Sequence, residues 1–289
     1  AADALPGWAP LVARIPLSGP RDSPRRAVLP LVHEQERRWL ETAGVETGEG
    51  VVYTIRDVTS EQELEQLRRD VVAVVSHELR TPLTGALGAA QTLLARFDEL
   101  PDDDRRGLLD MIVGQGERLQ RIIDQMLLSS ELDEGVLDTG RAVFDAAALV
   151  RRLPTLLAEA EGRARVVVEA VDPARAVGDE ERAAQVLVNL VDNSLKYTQG
   201  SVRIQGARAG DAVRITVTDE GPGIPPAERE RVFERFYRLD PALSRGVGGT
   251  GLGLYIAREL VARMRGRIEL LSGPDGTTVV VELPAAPED

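Results

Sequence analysis

The chain has 289 residues, which at ~100–200 residues per domain leaves room for two or three domains, and its 43% hydrophobic content excludes wholesale disorder. Its 47 acidic against 35 basic residues give a net charge of −12, a poor surface for nucleic acid or anionic lipid. There is no cysteine and there are only two histidines, His33 and His77, so disulfides, thiolate zinc sites, thiol nucleophiles and multi-histidine metal sites are excluded together.

The chain opens at Ala1 without methionine and reads as a fragment or processed form of something longer. No apolar run approaches the ~20 residues needed to span a bilayer. Up to about Val58 the pattern is β-rich: Pro and Gly are dense up to Pro30, and strand-like runs cover 27–32, 37–43 and 51–58. Gly44 and Gly48–Gly50 punctuate the last two as a hairpin. A helix follows, with Leu64, Leu67, Val71 and Val74 at the a/d spacing of a coiled coil and a Ser60–Glu63 capping box. It runs past Pro82 to about Phe97. After a turn at 100–104, whose Asp102–Asp104 run suits a helix start, a second amphipathic helix reaches about Leu132. The two helices make an antiparallel hairpin with more apolar surface than a pair can bury, so pairing of two copies into a four-helix bundle is expected.

Residues 133–141 read as a linker. Helices are expected over 145–159, 180–197 and 252–265, with a short helix near 227–233. Strands are expected over 165–170, 201–208, 212–218, 267–271 and 277–283. Helices interleaved with hairpins predict an α/β sandwich rather than alternating βαβ units.

Four constellations stand out. In Ser76-His77-Glu78-Leu79-Arg80-Thr81-Pro82, a carboxylate adjoins the one histidine of the helical region, and a carboxylate beside imidazole selects its tautomer and raises the nucleophilicity of the free nitrogen. Thr81 lies one turn from His77 on the same face, and Pro82 costs a mid-helix hydrogen bond. On the 180–197 helix, Asn189, Asn193 and Lys196 form a polar stripe on an otherwise apolar cylinder, with amides suited to hard cations and lysine to phosphate. Asp219-Glu220-Gly221-Pro222-Gly223-Ile224 pairs a carboxylate that can accept from an exocyclic amine with glycines that let backbone approach a flat ligand. Gly246–Leu254, with Gly249, Thr250, Gly251, Leu252 and Gly253, is glycine-rich backbone opening a helix, an anion site in form. Leu252 stands where a Walker loop needs lysine, so it is not one. Taken singly, each has a plainer reading: a surface histidine on a kinked helix, a solvated stripe, a turn, a loop. His33, Trp8 and Trp39 are best read as structural.

Together, and in this order, these elements resemble the sensor histidine kinases of two-component signalling over about residues 60–285. Ser76–Pro82 looks like the phosphoacceptor box, Leu187–Thr198 the N box, Asp219–Ile224 and Gly249–Leu254 the two glycine boxes, and Val232–Arg238 the F box. Residues 1–59 resemble, more weakly, the last strands of a PAS sensor domain. The resemblance implies a multidomain α+β chain: a partial PAS-like segment (1–59), a dimerisation and phosphotransfer hairpin (60–136) and an ATP-binding α/β sandwich (142–286). It implies ATP and Mg²⁺ as cofactors. Asp219 would read the adenine amine, with Gly221 and Gly223 permitting approach, and Asn193 would ligate Mg²⁺ with Asn189 beside it. Lys196 and Tyr197 would face the phosphates, the 249–253 backbone would hold phosphate oxygens, and Arg238 would neutralise the γ-phosphate. His77 would be the phosphoacceptor with Glu78 on its other nitrogen, and a response-regulator receiver domain the partner. Glu78 and Thr81 also fit the E-x-x-T pattern of members that dephosphorylate their partner. The expected assembly is a homodimer without nucleic acid, either cytoplasmic or the cytoplasmic part of a membrane-anchored protein. The competing reading is an ATPase of the gyrase and MutL type, which shares the C-terminal fold. Those enzymes carry a glutamate base where Asn189 stands, and that reading leaves the His77 box unexplained.

Overall fold

A computed structural model describes residues 11–19, 22–33, 36–157, 165–239 and 249–287, and it divides into two compact units, Ala1–Ala73 and Val74–Asp289.

The first unit is a small sheet of β1 (Leu17–Ser18), β2 (Arg26–His33), β3 (Glu36–Thr47) and β4 (Gly50–Asp57). β3 pairs antiparallel with β2 and β4, and β1 adds a short parallel pairing at Gly44 and Val45. Gly44 is therefore inside a strand, not at the expected turn, which falls at Thr47–Gly50. The reason is space: a Cβ at Gly44 would stand 2.6 Å from the Leu17 side chain. Leu11, Ile15, Leu29 and Leu40 form the core, and Trp39 is half-buried. Trp8 and the His33 side chain lie outside the described residues.

Helix α1 (Thr59–Arg96) starts one residue before the expected Ser60 cap, and Asp57 supplies the capping group. Its carboxylate accepts from the Thr59 amide at 3.0 Å and hydroxyl at 2.6 Å, hydrogen bonds that hold the carboxyl below its ordinary range. The same hydroxyl accepts from the Trp39 amide at 2.9 Å, so the helix start is tied to β3.

In the second unit α1 runs on through a buried Pro82 and is followed by α2 (Asp102–Asp133), with Asp102, Asp103 and Asp104 in its first turn. Then come β5 (Ala142–Asp145), α3 (Ala146–Leu156), β6 (Val166–Val171), β7 (Arg175–Gly178), α4 (Glu180–Tyr197), β8 (Val202–Ala209) and β9 (Ala212–Asp219). Two 3₁₀ turns, Pro226–Glu228 and Arg231–Phe233, lead towards α5 (Gly253–Arg263), β10 (Arg267–Gly273) and β11 (Gly276–Pro284). A five-stranded sheet in the order β10-β11-β9-β8-β6 is antiparallel except for the β6–β8 pair. β5 and β7 form a two-stranded sheet in stretches where the sequence predicts no strand, and an antiparallel bridge from Ala176 to Ala285 ties β7 to the end of the chain.

The helices of this α/β sandwich begin where side chains can cap them. Asp145 and Asp179 accept from the amides three residues on, at 2.9 and 3.1 Å. Leu153, Leu187, Ile204, Ile215 and Leu260, inward residues of α3, α4, the sheet and α5, are at most 1% exposed. Leu128 and Leu132, from the end of α2, join that core. α2 ends in a glycine cap, with the Gly135 amide on the Leu132 carbonyl and the Val136 amide on the Glu131 carbonyl, and Arg263 of α5 adds donors to the carbonyls of Leu132 at 2.6 Å and Leu137 at 2.7 Å. Asp133 accepts from the Tyr255 hydroxyl and from Arg235.

Candidate active site

The His77 side chain is 75% exposed on α1, while that of its neighbour Glu78 is 4% exposed. Glu78 Oε1 lies 3.6 Å from His77 Nδ1 and 3.5 Å from Arg238 Nη1, and Oε2 lies 3.8 Å from Arg118 Nη2. A carboxylate so far from water needs cationic partners, and here two arginines from different elements meet it. Tyr197, at the end of α4, is half-buried beside this cluster: burial pushes its hydroxyl above the ordinary tyrosine range, Arg238 opposes the shift and Glu78 adds to it. Thr81 is exposed, and its hydroxyl donates to the His77 carbonyl at 3.2 Å. His77, Glu78, Thr81, Tyr197 and Arg238 are thus brought together from three parts of the chain.

The polar stripe of α4 splits in two. Asn189 Oδ1 accepts from Gln125 of α2 at 3.5 Å, and the other side of the Gln125 amide accepts from the Thr250 hydroxyl at 3.4 Å. Asn189 Nδ2 is buried without a hydrogen-bond partner among the described residues. Asn193 follows one turn on and is half-buried. Lys196, by contrast, is exposed and turned back onto Asp192 at 2.9 Å. Asp219, 8% exposed, is fixed at both oxygens: Ser194 donates to Oδ2 at 3.0 Å and the Gly221 amide to Oδ1 at 2.9 Å.

Two of the glycines expected at the ligand make room for protein backbone. Gly223 has φ +72°, and a Cβ there would stand 1.8 Å from the Gly273 carbonyl. Gly251 also has φ +72°, and a Cβ there would be 2.6 Å from backbone atoms of Phe236 and Tyr237. The Phe236 amide donates to the Gly251 carbonyl at 3.1 Å, and Phe236 itself holds φ 61°, a costly conformation for an aromatic residue. The turn after the 3₁₀ segments is therefore clamped to the second glycine box. Among the described residues nothing stands within 4 Å of where a Cβ would sit at Gly249 or Gly253, Leu252 is fully buried, and Gly246–Gly248 lie outside the described residues.

These residues fit a nucleotide and a hard cation. A buried carboxylate is pre-aimed for an amine, an orphaned buried amide nitrogen awaits an acceptor, two neighbouring asparagines offer oxygen ligands, and open glycine backbone adjoins them. Sequence reasoning missed Gln125, Arg118 and Ser194. For Ser194 a signal existed, since a serine on the buried face of α4 needs a partner.

Residues 67–135 match the family described as His Kinase A (phospho-acceptor) domain, and residues 178–287 match the Histidine kinase-, DNA gyrase B-, and HSP90-like ATPase family. The Sensor protein SrrB of Staphylococcus aureus (strain NCTC 8325 / PS 47) is 32% identical over 249 residues, 81% of this chain and 41% of SrrB. The chain thus spans about two-fifths of the length of the curated relatives it matches. Among solved structures, full-length ShkA in complex with AMPPNP is 29% identical with a TM-score of 0.54, over 75% of this chain and 46% of ShkA. The histidine kinase AdeS of Acinetobacter baumannii, at 22% identity and a TM-score of 0.55, shares the fold over 73% of this chain and 98% of its own.

Proposed function

The chain belongs to the histidine kinase family, with its phospho-acceptor and ATPase domains, and on that premise we propose that it phosphorylates its own His77 from ATP and passes the phosphoryl group to an aspartate of a response-regulator receiver domain. The observation that carries this reading is the Arg238–Glu78 contact at 3.5 Å, which joins the ATP-binding half to the carboxylate beside the phosphoacceptor.

Phosphoryl transfer is chiefly positioning and charge stabilisation. Asp219, held by Ser194 and the Gly221 amide, presents a fixed acceptor to the adenine amine. The orphan amide of Asn189 offers a donor to phosphate oxygens, and the backbone at 249–253 would add others, although the Leu252 amide already donates to the Thr250 hydroxyl at 3.3 Å. Asn193 and Asn189 would hold Mg²⁺, which supplies charge neutralisation to the phosphates when bound. Arg238 leaves Glu78 for the γ-phosphate, and Tyr197 stays beside it. Glu78 then accepts the Nδ1 proton of His77 as a hydrogen bond, leaving Nε2 to attack. Lys196 reaches the phosphates only by giving up Asp192.

The dimer belongs to the same reading: Leu83, Leu87, Leu109, Ile123 and Leu127 are exposed along α1 and α2, an apolar stripe that a second hairpin would cover. Residues 1–59 are read as a PAS-like input segment, 60–136 as the phosphotransfer hairpin and 142–286 as the ATP-binding domain, in a cytoplasmic setting. Thr81, one turn from His77, would orient water for dephosphorylation of the partner. Thr81→Ala should slow release of phosphate from the phosphorylated regulator without changing autophosphorylation, and an unchanged release rate overturns the phosphatase assignment.

The central test is incubation with γ-labelled ATP and Mg²⁺. Acid-labile, alkali-stable label that disappears in His77→Gln is expected, and label persisting in that variant overturns the kinase reading. The gyrase-like alternative predicts steady ATP hydrolysis without protein label.

A further inference from the structure

Glu78 uses its two oxygens unequally. Oε1 is shared by the imidazole at 3.6 Å and by Arg238 at 3.5 Å, whereas Oε2 faces Arg118 of α2 at 3.8 Å. When Arg238 moves to the γ-phosphate, Oε1 loses its cation at the moment the imidazole must act as nucleophile. A carboxylate with a 4% exposed side chain is costly to leave without a counter-charge. A carboxylate free to swivel also cannot hold one imidazole tautomer, because either oxygen, or neither, can face the ring.

We propose that Arg118 is a positioning residue for the reaction at His77: by holding Glu78 Oε2 throughout turnover, it keeps Oε1 on the Nδ1–H of His77 and so reserves the Nε2 lone pair for the γ-phosphorus. This rests on the histidine kinase reading of the site. Arg118 suits the task because it comes from the other hairpin helix. Its hold on Glu78 does not depend on where the ATP-binding half stands, while that of Arg238 does. Its side chain is 42% exposed, so its stem is not a core packing element. Among the described residues, neither of the other groups at the carboxylate can replace it, since His77 is the group being aimed and the Tyr197 hydroxyl carries no positive charge.

The test uses the full chain with Arg118→Gln, Arg118→Met (which keeps the aliphatic stem) and Arg118→Lys. Autophosphorylation followed against ATP concentration should show kcat reduced about 10- to 100-fold in the Gln and Met variants, the range lost when a reacting group is misplaced. KM for ATP should stay within about twofold, since no nucleotide contact is touched. Arg118→Lys should recover most of the rate. Independently of any kinase activity, ¹⁵N-histidine NMR reads the tautomer directly, with the His77 signal identified by its loss in His77→Gln. The wild type should carry its proton on Nδ1, and both charge-removing variants should shift it towards Nε2. An unchanged tautomer overturns the proposal even where the rate falls, and so does a kcat within about twofold of wild type in either variant. A wild-type chain that never labels His77 would instead defeat the kinase reading, and the tautomer comparison would still decide what Arg118 holds.

Discussion

The ATP-binding domain and the helical hairpin settle their apolar surface in opposite ways. In the first, Leu149, Val150, Leu153, Ile204, Ile256 and Leu260 are fully buried by elements of the same chain. In the second, Leu94 is 86% exposed, Leu127 60% and Leu109 53%. The first is closed by its own elements together with Leu128 and Leu132 of α2, and it holds the Asp219 carboxylate through Ser194 and the Gly221 amide. The other carries an exposed apolar stripe, and His77, the proposed phosphoacceptor, sits on it. The lesson is that, on the proposed reading, a site can divide its labour: binding belongs to the closed half and transfer to the half with its apolar surface exposed.

The largest expected effect attacks the open half. Leu87→Glu combined with Leu127→Glu, both at exposed positions, should convert a dimer to a monomer in sedimentation, with nucleotide affinity unchanged. A dimer that survives would break the comparison. Next, Leu260→Ala, at 0% exposure, should cost about 2–5 kcal/mol in urea unfolding, while Leu94→Ala should stay within about 0.5 kcal/mol. Smaller is the link between the halves at Tyr255. Burial first, then the hydrogen bond to Asp133, pushes its hydroxyl up to about 12. Because the folded value is raised, the stability that Tyr255 contributes is fully present below the unfolded value near 10 and is lost as pH climbs through about 12. Tyr255→Phe should remove ~0.5–1.5 kcal/mol at neutral pH and flatten the alkaline fall, read by unfolding at both ends of that window. The smallest effect concerns Gln125, whose amide occupies Asn189 and Thr250 through contacts of 3.5 and 3.4 Å. Gln125→Ala should tighten ATP binding about two- to threefold by calorimetry, as expected when a weak competing contact is removed.

Most of the architecture was legible because it repeats. The α4 bounds follow from Asp179 and a buried cylinder, and the β8–β9 and β10–β11 hairpins from alternation and their turn glycines. β5 and β7 were not legible: each is four residues long, too short for a period to register, and Asp145 serves both as the end of a strand and as a helix cap. Gly44 misled because a glycine that makes room for Leu17 looks in sequence like one that makes a turn. In the site, residues bound into motifs could be named, and Asp219 and Asn189 were. Arg118 and Gln125 could not be, because a lone polar residue on an amphipathic helix carries no local pattern and acquires its role only from what folds against it.

Arg263 donates to the carbonyl of Leu132, in the last turn of α2, and to that of Leu137, just beyond it. The helix already ends on its own sequence: Gly135, at φ 71°, lets its amide reach the Leu132 carbonyl and the Val136 amide reach the Glu131 carbonyl, each at 3.3 Å. Arg263 adds a second fastening from α5, to one carbonyl that the cap has already paired and to one just past it. The end of α2 is therefore doubly locked: fraying it breaks the glycine cap and also two hydrogen bonds to a charged donor.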